Sequence, residues 1–142
     1  MLATQGWNPG GGNGVYNDAP FGVWYYSSPA LWSVFNQDIN DIPEGASFNL
    51  MIPPASFDIT LQTATSSNIT TYYTTVDHAL LNGDPDALFI VTQNWNPGGG
   101  SGVYNDSEIG LWYSSSTSRW NIYNHTIGDM PDGANFNVFV PL

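Results

Sequence analysis

The sequence predicts an all-β protein built from two tandem sandwich-like units, and three observations support this. Residues 4 to 54 recur without insertion or deletion as residues 92 to 142, so that Trp7, Trp24, Trp32 and Phe48 find counterparts 88 positions on, at Trp95, Trp112, Trp120 and Phe136. The copies match at roughly half identity, and self-similarity of this kind marks duplication of one structural unit. Apolar and polar residues alternate with period two along the chain, and no stretch carries a helical stripe longer than about two turns. Clusters of Gly, Pro, Asn and Ser separate the alternating runs, as turns separate strands.

Each element follows from local chemistry. A first strand starts at Leu2 and ends before Asn8-Pro-Gly-Gly-Gly12, which cannot continue a regular element. Gly22-Val-Trp-Tyr25 and Trp32-Ser-Val-Phe35 form a hairpin around a Ser-rich loop of about six residues. Pro43-Glu-Gly45 is a turn just before the next strand. Phe57-Asp-Ile59-Thr-Leu61 alternates as a half-buried strand, and Val76 to Leu81 is the one place that allows a helical turn. Ala87-Leu-Phe-Ile-Val91 is continuously apolar, as expected of a central strand covered on both sides. The second copy then repeats the loop at Asn96 to Gly100, the hairpin of Gly110 to Tyr113 with Trp120 to Tyr123, the turn Pro131-Asp-Gly133 and the strand Ala134-Asn-Phe136-Asn-Val138. Trp24, Trp32, Trp112 and Trp120 lie inside strand patterns and are expected in the core.

Met1 aligns with Phe89, and nothing in the first copy corresponds to the stretch from about Ala55 to Leu88. The expected organisation is therefore residues 1–54 as a first, incomplete β repeat lacking its leader strands, and residues 55–142 as a second, complete one.

Composition narrows the function. Twelve acidic residues face a single basic one, Arg119, for a formal charge of −11. Such a surface repels a phosphate backbone and an anionic bilayer, so neither nucleic acid nor membrane insertion is expected. There is no cysteine, which removes disulfides, thiolate metal sites and a Cys nucleophile. Scarce Lys and Arg with abundant Asn, Ser, Thr and Gly points to an extracellular or cell-surface protein.

Catalysis is not expected, and the chain reads as a non-enzyme. Its two histidines, His78 and His125, are not shared between copies, since His125 aligns with Gln37. Asp77 is adjacent in sequence to His78 and so points elsewhere on a strand, away from the arrangement of a Ser-His-Asp site. Paired carboxylates drawn from Asp38, Asp41 and Glu44, or Asp129 and Asp132, sit in short acidic turns. No cofactor is required. Calcium is a weak candidate through the hard oxygen ligands Asp84 and Asp86, but Asn and Asp are also default turn residues.

The pattern W-N-P-G, G-V-W-Y, W-x-I-F-N and P-x-G-A-x-F-N-V resembles a repeat of uncharacterised secreted bacterial proteins, whose unit begins with a segment like Thr63-Ala64-Thr65 and Asn68-Ile69-Thr70. The resemblance spans the second copy fully and the first from Leu2. It implies secretion and repetition and brings no activity with it.

Two functions remain. A first unit without its leader exposes unpaired sheet edges, which a neighbouring subunit can cover by strand addition. Head-to-tail contacts of that kind produce open filaments when the rotation does not close. The leading expectation is therefore a structural subunit of an extracellular filament or surface assembly that self-associates through donor-strand complementation. The alternative is a bivalent carbohydrate-binding module, in which Trp7, Asn8 and Asp18, repeated as Trp95, Asn96 and Asp106, offer a ring face and polar groups to a sugar. Asn68, Asn105 and Asn124 head glycosylation sequons, and a sugar coat would help keep a charge-poor filament soluble.

Overall fold

The computed structural model describes residues 1–142 and contains eleven strands and no helix. In the first unit, β1 (Leu2–Gly6) pairs antiparallel with β4 (Ser47–Met51), and β2 (Phe21–Tyr26) with β3 (Leu31–Asn36). The second unit holds β5 (Phe57–Thr63), β6 (Ile69–Thr70), β7 (Tyr73–Thr75), β8 (Ile90–Gln93), β9 (Ile109–Ser114), β10 (Arg119–Asn124) and β11 (Asn135–Pro141). These form two sheets, ordered β5-β11-β8 and β6-β7-β10-β9. The all-β architecture with several sheets is the one expected.

The two copies pair their strands in the same register. Leu2 faces Met51 as Ile90 faces Phe139, and Phe21 faces Asn36 as Ile109 faces Asn124. Both hairpins close through four residues rather than six, because each strand runs one residue further than the apolar pattern. Ala30 and its counterpart Ser118 take left-handed φ of 69° and 54° in those loops.

The copies differ where the leader acts. β5 pairs with the outer edge of β11, β7 with the outer edge of β10, and β6 with β7. Ala64, Val76 and Leu81 thereby enter a core with Ile122, Met130, Phe136, Val138 and Val140. Full burial of a Val, Leu or Phe side chain contributes about 1.5–3 kcal/mol each. The first unit has no such cover. Leu50 and Ile52, counterparts of Val138 (0%) and Val140 (4%), are 57% and 72% exposed, and β3 and β4 have no partner on their outer edges within residues 1–142.

Val76 to Leu81, where the sequence allows a helical turn, ends in a single turn in which the amides of Leu81 and Asn82 both donate to the His78 carbonyl at 2.9 Å. Three expectations about burial are corrected. Ala87 to Val91 is not a strand covered on both sides: only Ile90–Gln93 pairs, at the edge of its sheet, and Leu88 is exposed. β5 turns its apolar residues outward, with Ile59 and Leu61 exposed, because Asp58 and Thr60 lie opposite the core residues Val140 and Val138. That polar face instead ties down the leader, since Gln62 Nε2 donates to Thr74 Oγ1 and to the Thr75 carbonyl, each at 3.0 Å.

The tryptophans are the third. Trp120 packs edge-on against Phe89, with ring centroids 5.2 Å apart, and its Nε1 donates to the Asp84 carbonyl. Its counterpart Trp32 meets no equivalent of Phe89 or Asp84 within residues 1–142 and is exposed, so the core assignment fails there. Trp112 is also exposed, because alternation along β9 puts Leu111 on the core side with Ile122 and turns Trp112 to the other face.

Candidate functional site at the joint between the two units

All strand ladders lie within one unit or the other, and a single parallel bridge, Val23 with Asn94, crosses between them. Around it the loop opened by Trp95 packs onto the outward face of β2 and β3. Trp95 meets Trp24 edge-on at 5.8 Å and Phe35 at 6.4 Å, and Tyr104 meets Phe35 at 6.0 Å. The Trp95 amide donates to the Val23 carbonyl at 2.9 Å.

Asn96 then acts as a substitute strand. Its Oδ1 accepts from the Tyr25 amide at 2.8 Å and its Nδ2 donates to the Tyr25 carbonyl at 3.0 Å, so one side chain satisfies both backbone groups at an open sheet edge. Below it, the Asn105 amide donates to Gln37 Oε1 at 3.3 Å, and the Ala3 amide to Thr92 Oγ1 at 3.4 Å. Trp95 Nε1 and Asn94 Oδ1 are buried here without a partner. Each such atom costs about 1–3 kcal/mol, which the aromatic contacts must offset.

Glu108 borders a cleft of about 220 Å³ shared by Ala3, Thr4 and Phe21 of the first unit and Val91 and Ile109 of the second. Partial desolvation raises its carboxyl above the ordinary range, and the nearby His125 works against that shift.

The residues assigned to sugar recognition divide. Trp95 and Asn96 are spent in the joint, whereas Trp7 and Asn8 are exposed. Trp7 stacks on Tyr16 at 5.4 Å, the separation that Trp95 keeps from Tyr104. Asp18 and Asp106 point to solvent, while the asparagines before them, Asn17 and Asn105, turn inward. Two equivalent platforms therefore do not exist in the folded chain.

The sequons fare similarly. Asn105 and Asn124 are each 2% exposed and bonded to each other, and a glycan on either amide nitrogen would displace those bonds; this corrects the glycosylation expectation at both positions. Asn68 Nδ2 donates to the Thr63 carbonyl at 3.0 Å, and its Oδ1 accepts from the Thr65 amide and from Thr74 Oγ1.

His78 lies in the loop after β7 and is buried. Its Nδ1 accepts from the Leu80 amide at 3.2 Å and its Nε2 lies 3.3 Å from Asp58 Oδ2, so both ring nitrogens are occupied and neither is free to activate a hydroxyl. Asp84 Oδ1 accepts from the Asp86 amide in a turn, and no group of three or more His, Asp or Glu is arranged to hold a metal. Arg119, the only basic side chain, lies 3.6 Å from Asp77.

Sequence reading missed Tyr25, Phe35, Tyr104 and Gln37 as joint residues. The available signal was that Tyr16 and Tyr104 repeat at fixed spacing from Trp7 and Trp95, but spacing does not tell which copy of a repeated aromatic meets a neighbour.

No curated protein and no solved structure matches the chain. A family model described as "Domain of unknown function (DUF7452)" matches residues 22–140, a stretch that runs from β2 to β11 and includes the joint. The chain belongs to that family.

Proposed function

We propose that this protein is a structural subunit of an extracellular filament or surface assembly, joined to its neighbours by strand complementation. One observation carries the reading: the first unit presents a core face without its cover. Leu50 and Ile52 stand exposed where Val138 and Val140 are sealed by the leader, and the edges of β3 and β4 lie open beside them. An apolar strand pair with free amides and carbonyls recruits a further strand. The cover needs the chemistry of the leader, a segment that pairs with β4 and places small and branched apolar residues over Phe48, Leu50 and Ile52. Strand addition of this kind joins unlike surfaces and propagates.

Fusing a copy of residues 55–88 ahead of Met1 supplies the cover within one molecule. Light scattering should then show loss of the association made through this face, while the unfused chain forms larger species as its concentration rises. An unfused chain that stays monomeric at high concentration would refute the assembly reading and favour glycan binding. That alternative retains one exposed platform, Trp7 on Tyr16, in place of the two expected from the repeat.

A further inference from the structure

We infer that the joint inside the chain is also the joint between chains: Trp7, Asn8 and Tyr16 of one copy dock on Trp112, Tyr113 and Tyr123 of another. This deepens the assembly reading by naming a second contact and its partner, and it uses a surface other than the open core face.

Comparing the two copies isolates the joint. Contacts made within a unit occur twice with nearly the same geometry. A Cβ at Gly14 would sit 2.0 Å from the Trp7 carbonyl oxygen and one at Gly102 1.8 Å from that of Trp95, and Gly45 and Gly133 meet Val15 and Val103 at 3.1 and 3.0 Å. Contacts between units occur once. Asn96 clasps Tyr25, but Asn8 reaches only its own loop, through the Gly12 carbonyl at 3.3 Å. A Cβ at Gly99 would lie 3.6 Å from Ser27 Cβ, whereas one at Gly11 meets nothing within 4 Å. Tyr104 is 45% exposed and Tyr16 76%. One half of the joint is thus bare at the first unit.

The other half is open to solvent at the second, with Tyr72 and Tyr73 of the leader at its border. Trp112 and Tyr123 are the counterparts of Trp24 and Phe35, and they line an open cleft of about 340 Å³ with Tyr72 and Ile127. The corresponding cleft in the first unit, about 210 Å³, is formed by Trp24 and Phe35 together with the incoming Trp95 and Tyr104. Since β9 pairs with β10 in the register of β2 with β3, Tyr113 directs its amide and carbonyl to the free edge, as Tyr25 directs its own to Asn96. No side chain of this chain bonds to them. Asn8 of a second copy has the atoms to do so. The leader borders this receiving face, with Tyr72 lining the cleft and Tyr73 edge-on to Trp112 at 5.4 Å, yet Trp112 keeps 36% of its surface exposed to an incoming ring.

Cysteine pairing tests this directly, because the chain has no cysteine of its own. Ser27→Cys with Gly99→Cys in one chain reproduces a separation within the roughly 3.5–4.5 Å that a disulfide spans between Cβ atoms, and it calibrates any strain that a non-glycine residue meets in that loop. The intermolecular equivalent mixes a Gly11→Cys chain with a Ser115→Cys chain. We expect the mixed dimer to exceed both homodimers several-fold under mild oxidation, and Trp112→Ala in the Ser115→Cys chain to remove that excess. A mixture yielding only the statistical ratio of dimers overturns the joint. Light scattering on cysteine-free protein gives a second readout. Trp112→Ala should lower the mass reached at high concentration, and an unchanged mass also overturns the joint. In the chain fused to an extra leader, association that persists and is lost on Trp112→Ala supports the joint. Complete loss of association on fusion alone refutes it and leaves the open core face as the contact, whereas a fusion without any effect refutes the core-face contact instead.

Discussion

Asn105 and Asn124 exchange amide hydrogen bonds across the second unit, Nδ2 of each to Oδ1 of the other at 2.9 and 3.0 Å, and Asn17 and Asn36 do the same at the same distances in the first. The pair fixes the loop after the glycines to the end of the hairpin. Asn105 also donates to Gln93 Oε1, and Asn124 to the carbonyls of Gly128 and Asp129. Asn124→Ala should therefore destabilise by about 1–3 kcal/mol, because it leaves a buried amide without its partner. Chemical denaturation measures this, and a neutral effect would mean that water replaces the bonds. Folded protein secreted from a glycosylating host should show no mass increment at Asn105 or Asn124.

Phe136→Ala and Trp112→Ala should separate clearly in stability. Phe136 is fully buried in the second core, and its truncation should cost about 3–5 kcal/mol. Trp112 is 36% exposed and touches Tyr73 edge-on at 5.4 Å. Its loss should cost less than half as much as that of Phe136, as read from urea midpoints.

Glu108 should make stability depend on pH in an unusual direction. Its carboxyl is raised by partial desolvation, so the folded chain holds the proton more tightly than the unfolded one. The stabilising contribution is then fully present below the ordinary carboxylate range and is lost as pH rises through the raised value. Glu108→Gln should raise the melting temperature slightly at pH 7, with the gain vanishing below about pH 4. Equal gains at both pH values would assign the effect to something other than ionisation.

Ile39 and Ile127 occupy equivalent positions at φ of 60° and 51°, a conformation that β-branched residues avoid. Both are exposed, at 75% and 71%. Neither side chain gains burial in return within the chain. Ile39→Asn should stabilise by about 1 kcal/mol by relieving the left-handed strain. Ile127→Asn should do likewise, and because Ile127 lines the Trp112 cleft it should also weaken association between chains.

Association should strengthen with salt. The contacting side chains Trp7, Asn8, Tyr16, Trp112, Tyr113 and Tyr123 are uncharged, while each chain carries a formal charge of −11. Screening shortens the reach of that repulsion from about 30 Å at 0.01 M to about 8 Å at 0.15 M. Sedimentation at both ionic strengths should show heavier species in the higher salt; the opposite trend would point to an ion-paired contact.

The sequence by itself determined the all-β class, the hairpins and the glycine-loop positions, because period-two alternation and turn chemistry are local properties written in adjacent residues. It did not determine which face of a strand meets the core. Ile59 and Leu61 alternate as a buried face should, yet β5 pairs so that Asp58 and Thr60 lie opposite the core residues of β11. Nor could it distinguish Trp7 from Trp95, or Leu50 from Val138, since the members of each pair occupy the same place in the repeat. Burial is a property of what lies on the other side. Only the tertiary structure shows that the leader covers one copy of the core face and that the second unit covers one copy of the aromatic face, while the other copy of each is left open.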